Sequence, residues 1–316
     1  MIKKEPGINS CNPPGEIAIS KIQSYIDTIE EKSSLHEEKN VEQRMEAIDF
    51  IGFHVIDQIK GFLQQTGDAA QLIALKHRAE KVKAKLEAID TNLFQKLRVN
   101  IQTGRYTGKA FKNLVCEYID FNLADKEHQE EAGYDNLDIF VNGLFPFQAM
   151  PEQTKELEAE MVFYQKTPAR VIFELVEKAG FTNEDVFFDL GSGLGQAVIL
   201  INLLSGITAC GVEFEPAFYN YASACATQFK LPEVKFINAD ARNTDYTNGT
   251  VFFMYTPFEG KMLDEVLAIL KKESQLRKIR VFTYGPCTTQ VALQSWLDFE
   301  GRKDGNIYKL GVFSSM

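Results

Sequence analysis

The chain has few of the residues that build a metal centre or a disulfide framework. Its four histidines, at positions 36, 54, 77 and 128, do not follow ligand spacing, so a histidine metal site is not expected. The five cysteines are odd in number and unpaired in spacing, which is typical of reduced cysteines in a cytoplasmic protein. No window of about eighteen residues is uninterruptedly apolar, and the amino terminus does not read as a signal peptide. We therefore expect neither secretion nor a membrane span.

The chain also lacks an excess of positive charge. It has 34 basic and 44 acidic residues, a net charge of −10. Residues 1–150 and 151–316 each carry a net charge of −5. Because a phosphate backbone is bound mainly through lysine and arginine, neither part has the charge footprint of a nucleic-acid-binding domain.

The first half of the chain has helical periodicity. From about residue 17 to 121, apolar residues recur at intervals of three and four, and no strand-like alternation precedes about residue 137. The prolines and glycines of residues 1–16 predict a flexible arm. The two prolines of 143-GLFPFQAMPEQ-153 place a domain boundary near residue 150. We predict a helical domain over 17–150 and a second domain over 151–316.

The second half alternates strands with helices. Strands are predicted at 186–190, 207–213, 234–238, 250–255 and 279–285, and helices at 168–180, 195–205, 216–229 and 260–272. Two further apolar runs, 296-WLDFE-300 and 307-IYKLGVF-313, flank a turn-rich segment and predict a hairpin. This pattern indicates an α/β fold with a doubly wound, mostly parallel sheet and an antiparallel C-terminal edge hairpin, preceded by an all-helical N-terminal domain.

A glycine-rich turn follows the first of these strands in 186-VFFDLGSGLGQAVIL-200. Gly191, Gly193 and Gly195 alternate, but Gln196 stands where the dinucleotide-binding fingerprint needs its third glycine. Asp189 precedes the first glycine by two residues, where its carboxylate would repel a phosphate and attract an amino group. A ligand with an ammonium, a carboxylate and a nucleoside fits this turn, and S-adenosylmethionine is such a ligand.

Two more acids follow the next two strands. Glu213 ends the second strand and can accept hydrogen bonds from both ribose hydroxyls, and Asp240 follows the third and can accept from the adenine amine. Taken singly, Asp189 would be a helix cap or turn residue, and the other two would be solvated loop acids. Taken together, three acids at three successive strand ends predict an S-adenosylmethionine site.

These motifs resemble a known family. Over about residues 186–256 the chain resembles the class I, Rossmann-like S-adenosylmethionine-dependent methyltransferases. The segments 189-DLGSGLGQ-196, 164-YQKT-167 and 211-GVE-213 resemble one branch of them, the non-SET histone lysine methyltransferases of the disruptor-of-telomeric-silencing type.

The resemblance implies specific roles for three residues. Tyr164 and Thr167 would fold over the methionine end of the cofactor, and Gln196 would contact it from the sheet side. The alternative is that Tyr164 only leads into a helix and that Thr167 caps this helix ahead of Pro168.

Two features depart from that branch. Lys166 stands where the branch has a carboxylate, and 251-VFFMYTPFEG-260 replaces a motif rich in asparagine. The chain also has no basic tail for a nucleosome. The resemblance thus implies cofactor binding more strongly than histone methylation.

The end of the fourth strand is where class I enzymes present the methyl acceptor. Thr256, Pro257 and Phe258 loosely echo the motif by which amino-group methyltransferases hold a target amine. We expect the Thr256 hydroxyl to accept a hydrogen bond and Phe258 to line the sulfonium. The alternative is a plain strand-to-helix turn. Since no histidine lies in this half, Tyr255 and Glu259 are the candidate bases.

The function predicted from the sequence is S-adenosylmethionine-dependent methyl transfer to a nitrogen, with a protein as the acceptor. A small-molecule or nucleobase methyltransferase remains an alternative, as does a cofactor-binding scaffold without catalysis. A basic surface stripe would indicate nucleic acid, and a deep closed pocket would indicate a small molecule. The sequence sets neither the acceptor nor the oligomeric state.

Overall fold

The computed structural model of this protein describes residues 14–65, 69–123, 133–147, 149–301 and 306–316. The chain forms two compact units, Met1–Leu93 and Phe94–Met316. Most of the predicted arm lies outside the described residues, and its last three residues belong to the first helix, which begins at Pro14. The two units divide between Leu93 and Phe94, earlier in the chain than the predicted boundary near residue 150. The domain boundary near residue 150 remains a prediction.

The first unit is helical, as the periodicity predicts. Its helices are α1 (Pro14–Glu31), α2 (Val41–Phe50), α3 (Asp57–Gln65) and the first part of α4 (Ala69–Gln102), with a 3-10 turn at Ser33–His36 and a π-helix at Ile51–Ile56. Arg44 is completely buried. Its guanidinium donates to Asp90 at 2.7 Å and to the backbone carbonyl of Leu35 at 3.1 Å. The buried charge is therefore paired and hydrogen-bonded, which offsets the cost of its desolvation.

The second unit contains the remaining helices of the described chain. They are α5 (Lys109–Cys116), α6 (Asn136–Leu144), α7 (Ala169–Ala179), α8 (Gln196–Ser205), α9 (Pro216–Phe229), α10 (Gly260–Ser274) and α11 (Cys287–Val291). Helix α7 ends where predicted, at Gly180 in a left-handed conformation. Among the described residues, no helix is long and apolar enough to cross a membrane.

The sheet of the second unit confirms the predicted fold class. Its strands are β1 (Val186–Leu190), β2 (Thr208–Glu213), β3 (Val234–Asn238), β4 (Val251–Tyr255), β5 (Arg280–Tyr284), β6 (Leu297–Phe299) and β7 (Gly311–Ser315). Over the described residues their order is β3-β2-β1-β4-β5-β7-β6. Strands β1 to β5 pair in parallel, and β7 pairs antiparallel with both β5 and β6. The parallel strands are continuous apolar runs because helices cover both faces of such a sheet.

The strand order fixes where a ligand can bind. Strand β1 lies between β2 and β4, so the order of the strands reverses beside it. Ligands of doubly wound sheets bind at such a reversal, outside the carboxyl ends of the strands. Asp189 pairs with Gly211 on one side and with Phe253 on the other. The glycine turn and the ends of β2 and β4 therefore meet at one edge of the sheet.

Candidate active site

A cleft opens at this carboxyl edge of the sheet. It encloses about 950 Å³ of space, part of which is open solvent at its mouth. Its walls are the glycine turn, the ends of β2, β3 and β4, and an irregular segment before α7. We call this segment, residues 151–167, the strap. The predicted site residues that line the cleft are Tyr164, Thr167, Asp189, Gly191, Gly193, Gln196, Glu213, Asp240, Tyr255, Thr256 and Phe258.

Neighbouring residues pack so closely against the glycine turn that a side chain on Gly191 or Gly193 would overlap with them. Gly193 has a φ of +52°, and a Cβ there would lie 2.2 Å from Cε2 of Tyr164. A Cβ on Gly191 would lie 2.3 Å from Cβ of Pro257. Gly195 differs from these two, because it lines no part of the cleft. A Cβ on Gly195 would lie 2.5 Å from the ring of Phe236, so this glycine has a packing role, and its contact with the cofactor stays a prediction.

Asp189 is a buried carboxylate within β1. Its exposed fraction is 4%, and no hydrogen bond or ion pair to its side chain is found in the described part of the chain. Burial, and then the nearby charge of Glu213, raise the pKa of Asp189 to about 8. The residue does not cap a helix, since the cap position of α8 falls on Gly195. A cationic group beside Asp189 would compensate its charge.

Glu213 is held by the backbone around it. One carboxylate oxygen accepts from the amide of Gly193 at 2.7 Å, and the other accepts from the amide of Glu215 at 2.8 Å. Burial raises the pKa of Glu213, although these two hydrogen bonds oppose the rise. Each oxygen keeps a lone pair that can accept from a hydroxyl group. Glu213 is thus a fixed acceptor and not a solvated loop acid.

Two polar side chains at the floor of the cleft have no partner. The amide group of Gln196 and the hydroxyl of Ser192 are about 95% buried, and neither has a hydrogen-bond partner among the described residues. Unpaired buried polar atoms are costly, so they indicate a ligand or ordered water at that position. Gln196 was predicted to contact the cofactor. Ser192 was missed because a serine between two glycines has no distinctive sequence signal.

Asp240 has a different environment from the other two acids. Its carboxylate accepts from the amide of Arg242 at 2.7 Å and from the guanidinium of the same residue, and these hydrogen bonds lower its pKa. Arg242 also donates to Glu158 of the strap at 2.8 Å. Asp240 is therefore neither a solvated loop acid nor a free carboxylate. Its contact with adenine remains a prediction.

The strap presents Tyr164 and Thr167 to the cleft. The ring of Tyr164 lies over Gly193 and packs against Phe218, with 5.5 Å between ring centroids. Burial raises the pKa of the Tyr164 hydroxyl well above its usual value. The cap of α7 falls on Pro168 without a side-chain hydrogen bond, so Thr167 does not cap that helix. The structure therefore argues against the alternatives that Tyr164 only leads into helix α7 and that Thr167 caps it.

The predicted acceptor residues lie at the end of β4. Thr256 has a φ of +39°. Its hydroxyl donates to the carbonyl of Tyr284 at 3.1 Å and accepts from the amide of Cys287 at 3.1 Å. Phe258 lines the cleft but is also part of the core, with 5% of its surface exposed. Thr256 thus has a structural task that the sequence did not predict, and its role toward an acceptor stays a prediction.

The two candidate bases gain no support. Burial raises the pKa of Tyr255, so its phenol stays protonated near neutral pH. Glu259 does not belong to the described lining of the cleft, and it begins α10 with its amide donating to the carbonyl of Glu160.

Residues 154–255, about a third of the chain, match the model of a family described as histone methylation protein DOT1. This protein is an S-adenosylmethionine-dependent methyltransferase. The matched segment of the methyltransferase includes most of the strap, the glycine turn and strands β1 to β4. It supports the resemblance to the disruptor-of-telomeric-silencing branch that the motifs indicate.

Several solved structures resemble part of the chain. An RNA methyltransferase from Salinibacter ruber has 21% identity and a TM-score of 0.39 over 48% of this chain and 92% of that chain. A methyltransferase from Aquifex aeolicus has 15% identity and a TM-score of 0.37 over 45% and 88%. A geranyl diphosphate C-methyltransferase from Streptomyces coelicolor has 17% identity and a TM-score of 0.30 over 35% and 44%. At such low scores these likenesses say nothing about the acceptor. No curated protein matches the chain.

The cleft of the methyltransferase fits S-adenosylmethionine. Asp189 is an unpaired acid suited to an ammonium, Glu213 is an acceptor suited to ribose hydroxyls, and the orphaned groups of Ser192 and Gln196 are suited to a carboxylate. Sequence reasoning missed Phe214 and Glu215, which also line the cleft. Their position two residues or fewer after Glu213 was the available signal.

Proposed function

We propose that this methyltransferase transfers the methyl group of S-adenosylmethionine to a nitrogen atom of a protein. When bound, the cofactor supplies a methyl group that its sulfonium has already activated. The name of the matched family points to histones as the first proteins to test. The proposal goes beyond cofactor binding, since it names the class of acceptor.

One observation carries the choice of a protein nitrogen over a nucleic acid. Of the described residues that line the cleft, four are acids and none is lysine, arginine or histidine. A phosphate in this cleft would meet four acidic and no basic lining residues, whereas an amine on a basic protein segment would be attracted. The acids are Asp189, Glu213, Glu215 and Asp240.

One side of the cleft binds the cofactor, and the other side positions the acceptor. On the cofactor side, Asp189 holds the ammonium, Glu213 holds the ribose and Asp240 accepts from the adenine amine. Tyr164 closes this side against water, which preserves the strength of the charged contacts. On the acceptor side, Tyr255 and the segment 256–258 position the nitrogen. Because the methyl group is already activated, positioning and desolvation supply most of the catalysis.

The test is a methyl-transfer assay with four acceptor classes in parallel. Purified protein and tritiated S-adenosylmethionine are incubated with core histones, with nucleosomes, with total RNA and with a pool of small amines. We expect label in acid-insoluble protein, and mass spectrometry of the labelled peptides should place the methyl group on a side-chain nitrogen. Asp189→Asn is the matched control, because it should fold, bind the cofactor more weakly and give correspondingly less label.

Two results would contradict the proposal. Label that appears only in RNA would assign a nucleobase acceptor, and label only in the small-amine pool would assign a metabolite. Failure of all four with a protein that binds the cofactor would exclude the tested histones and amines as acceptors.

A further inference from the structure

The strap forms the outer wall of the cofactor cleft. Eight of its residues line the cleft, among them Gln153, Leu157 and Tyr164. Apart from one bridge between Met161 and Phe258, the strap has no regular backbone pairing. A segment without its own ladder of hydrogen bonds depends on a few anchors for its position.

The anchor at the amino end of the strap is Glu215. Its carboxylate accepts from the hydroxyl of Thr154 at 2.7 Å, from the amide of Thr154 at 3.0 Å and from the amide of Lys155 at 2.8 Å. A fourth hydrogen bond, from the amide of Ala217 at 2.9 Å, caps helix α9. A helix cap needs only this last bond. The other three serve the strap.

Glu215 is strongly held in its ionised form. Its exposed fraction is 2%. Burial alone would raise its pKa, but the hydrogen bonds from Thr154, Ala217 and Lys155 lower the pKa to about 2. The ammonium of Lys155 lies 4.1 Å from the ring centroid of Phe214 and donates to its carbonyl at 3.2 Å. Hydrogen bonds to an ionised acceptor are the strong ones, so this anchor is firm at physiological pH.

The same anchor is joined to the ribose site. The amide of Glu215 donates to Glu213, whose other oxygen accepts from Gly193. The glycine turn, the ribose acid and the strap thus form one connected network. A shift of the strap would reach Glu213 through the backbone of a single intervening residue, Phe214.

We propose that Glu215 is a positioning residue that closes the strap over the bound cofactor and limits the rate at which S-adenosylhomocysteine leaves. The proposal rests on the cofactor, not on the identity of the acceptor. It therefore stands or falls separately from the proposed methyl transfer to protein.

The test separates the role of Glu215 as the cap of helix α9 from its role as the anchor of the strap. Glu215→Asp keeps a good cap for α9, but its carboxylate is one methylene shorter and does not reach the strap. Thr154→Val removes the hydroxyl bond and leaves Glu215 intact. Asp185→Ala is the matched control, because Asp185 also accepts from several donors, including Thr182 and Arg280, but at the amino ends of the strands.

Three quantities are measured on each full-length variant: the dissociation rate of S-adenosylhomocysteine, amide hydrogen exchange over residues 153–158, and the melting temperature. For Glu215→Asp we expect dissociation to be about tenfold faster, as the loss of charge-assisted hydrogen bonds implies, together with faster exchange in the strap. Asp185→Ala should lower the melting temperature and leave both other quantities unchanged.

The proposal is overturned if Glu215→Asp leaves the dissociation rate within twofold of the wild type. If strap exchange rises while dissociation does not, the strap is anchored by Glu215 but does not retain the cofactor. If Asp185→Ala speeds dissociation equally, the effect is one of general stability, and Glu215 has no special role.

Discussion

The buried carboxylate of Asp189 should make cofactor binding depend on pH. In the protein alone the pKa of Asp189 is about 8. Beside the ammonium of the cofactor, the ionised carboxylate is favoured and its pKa falls. Binding below pH 8 therefore requires Asp189 to release a proton. The affinity should decrease as the pH is lowered through this range.

The size of the effect follows from linkage. Because about half of the Asp189 side chains are already protonated at pH 8, the dissociation constant should rise about 50-fold between pH 8 and pH 6, or about 2.3 kcal/mol. The pKa of Asp189 is raised above its unfolded value of about 4, so its ionisation costs stability. The free energy of unfolding should accordingly fall as the pH rises from about 4 to 8.

Asp189→Asn removes the charge and tests both consequences. At pH 8 the variant should melt at a higher temperature than the wild type, because no buried carboxylate has to ionise. It should bind the cofactor more weakly by about 1.5–3 kcal/mol, the usual contribution of a hydrogen bond to a charged group. Its affinity should no longer change between pH 6 and pH 8.

The assay is calorimetric titration with S-adenosylhomocysteine, which keeps the ammonium, at pH 6, 7 and 8 in two buffers of different ionisation enthalpy. The difference between the buffers counts the protons released. Glu233→Gln, a change at an exposed acid whose carboxylate accepts from Thr208, is the control and should behave as the wild type. A wild-type affinity that does not vary with pH, or binding without proton release at pH 7, would refute the reasoning.

Substitutions at three further positions have defined outcomes. Gly193→Ala should abolish cofactor binding and destabilise the protein by about 1–3 kcal/mol, because its Cβ would lie 2.2 Å from the Tyr164 ring. Calorimetry measures the binding, and thermal melting measures the stability. A well-folded variant that binds the cofactor normally would contradict this geometry. Tyr164→Phe should bind the cofactor with an affinity within about threefold of the wild type, and Tyr164→Ala should bind it about tenfold more weakly, because the ring and not the hydroxyl covers the glycine turn. Calorimetry measures both affinities. Equal affinities of the two variants would disprove this role of the ring. Thr256→Val should lower the free energy of unfolding by about 1–3 kcal/mol, because it leaves the amide of Cys287 unpaired, whereas Thr256→Ser should not. Denaturant unfolding distinguishes the two variants. Equal unfolding midpoints would contradict the structural role of the Thr256 hydroxyl.

The sheet was predictable from the sequence because its strands are buried on both faces. Strands β1 and β3 begin and end where the apolar runs do, β2 and β4 begin one residue later than predicted, and β5 is shorter by one residue at each end. The acids of the site were also predictable, since the carboxyl ends of parallel strands meet at one edge. Local sequence determines both features, which is why Asp189 and Glu213 lie where expected.

Other features depend on contacts between distant segments and left no local signal. Glu215 reads as a helix cap, and only the folded chain shows that Thr154, 61 residues earlier, shares its carboxylate. The hydroxyl of Thr256 is hydrogen-bonded to the last residue of β5 and to Cys287 just after it, which the sequence does not place beside Thr256. Gly195 looks like part of a ligand loop, but its missing side chain makes room for Phe236.

The central claim is that the cleft at the glycine turn binds S-adenosylmethionine through Asp189. The most direct test is calorimetric titration of the wild type and of Asp189→Ala with S-adenosylmethionine and with NAD. The account predicts that the wild type binds S-adenosylmethionine and not NAD, and that Asp189→Ala loses this binding while remaining folded. Binding of NAD, or undiminished binding of S-adenosylmethionine by Asp189→Ala, would contradict it.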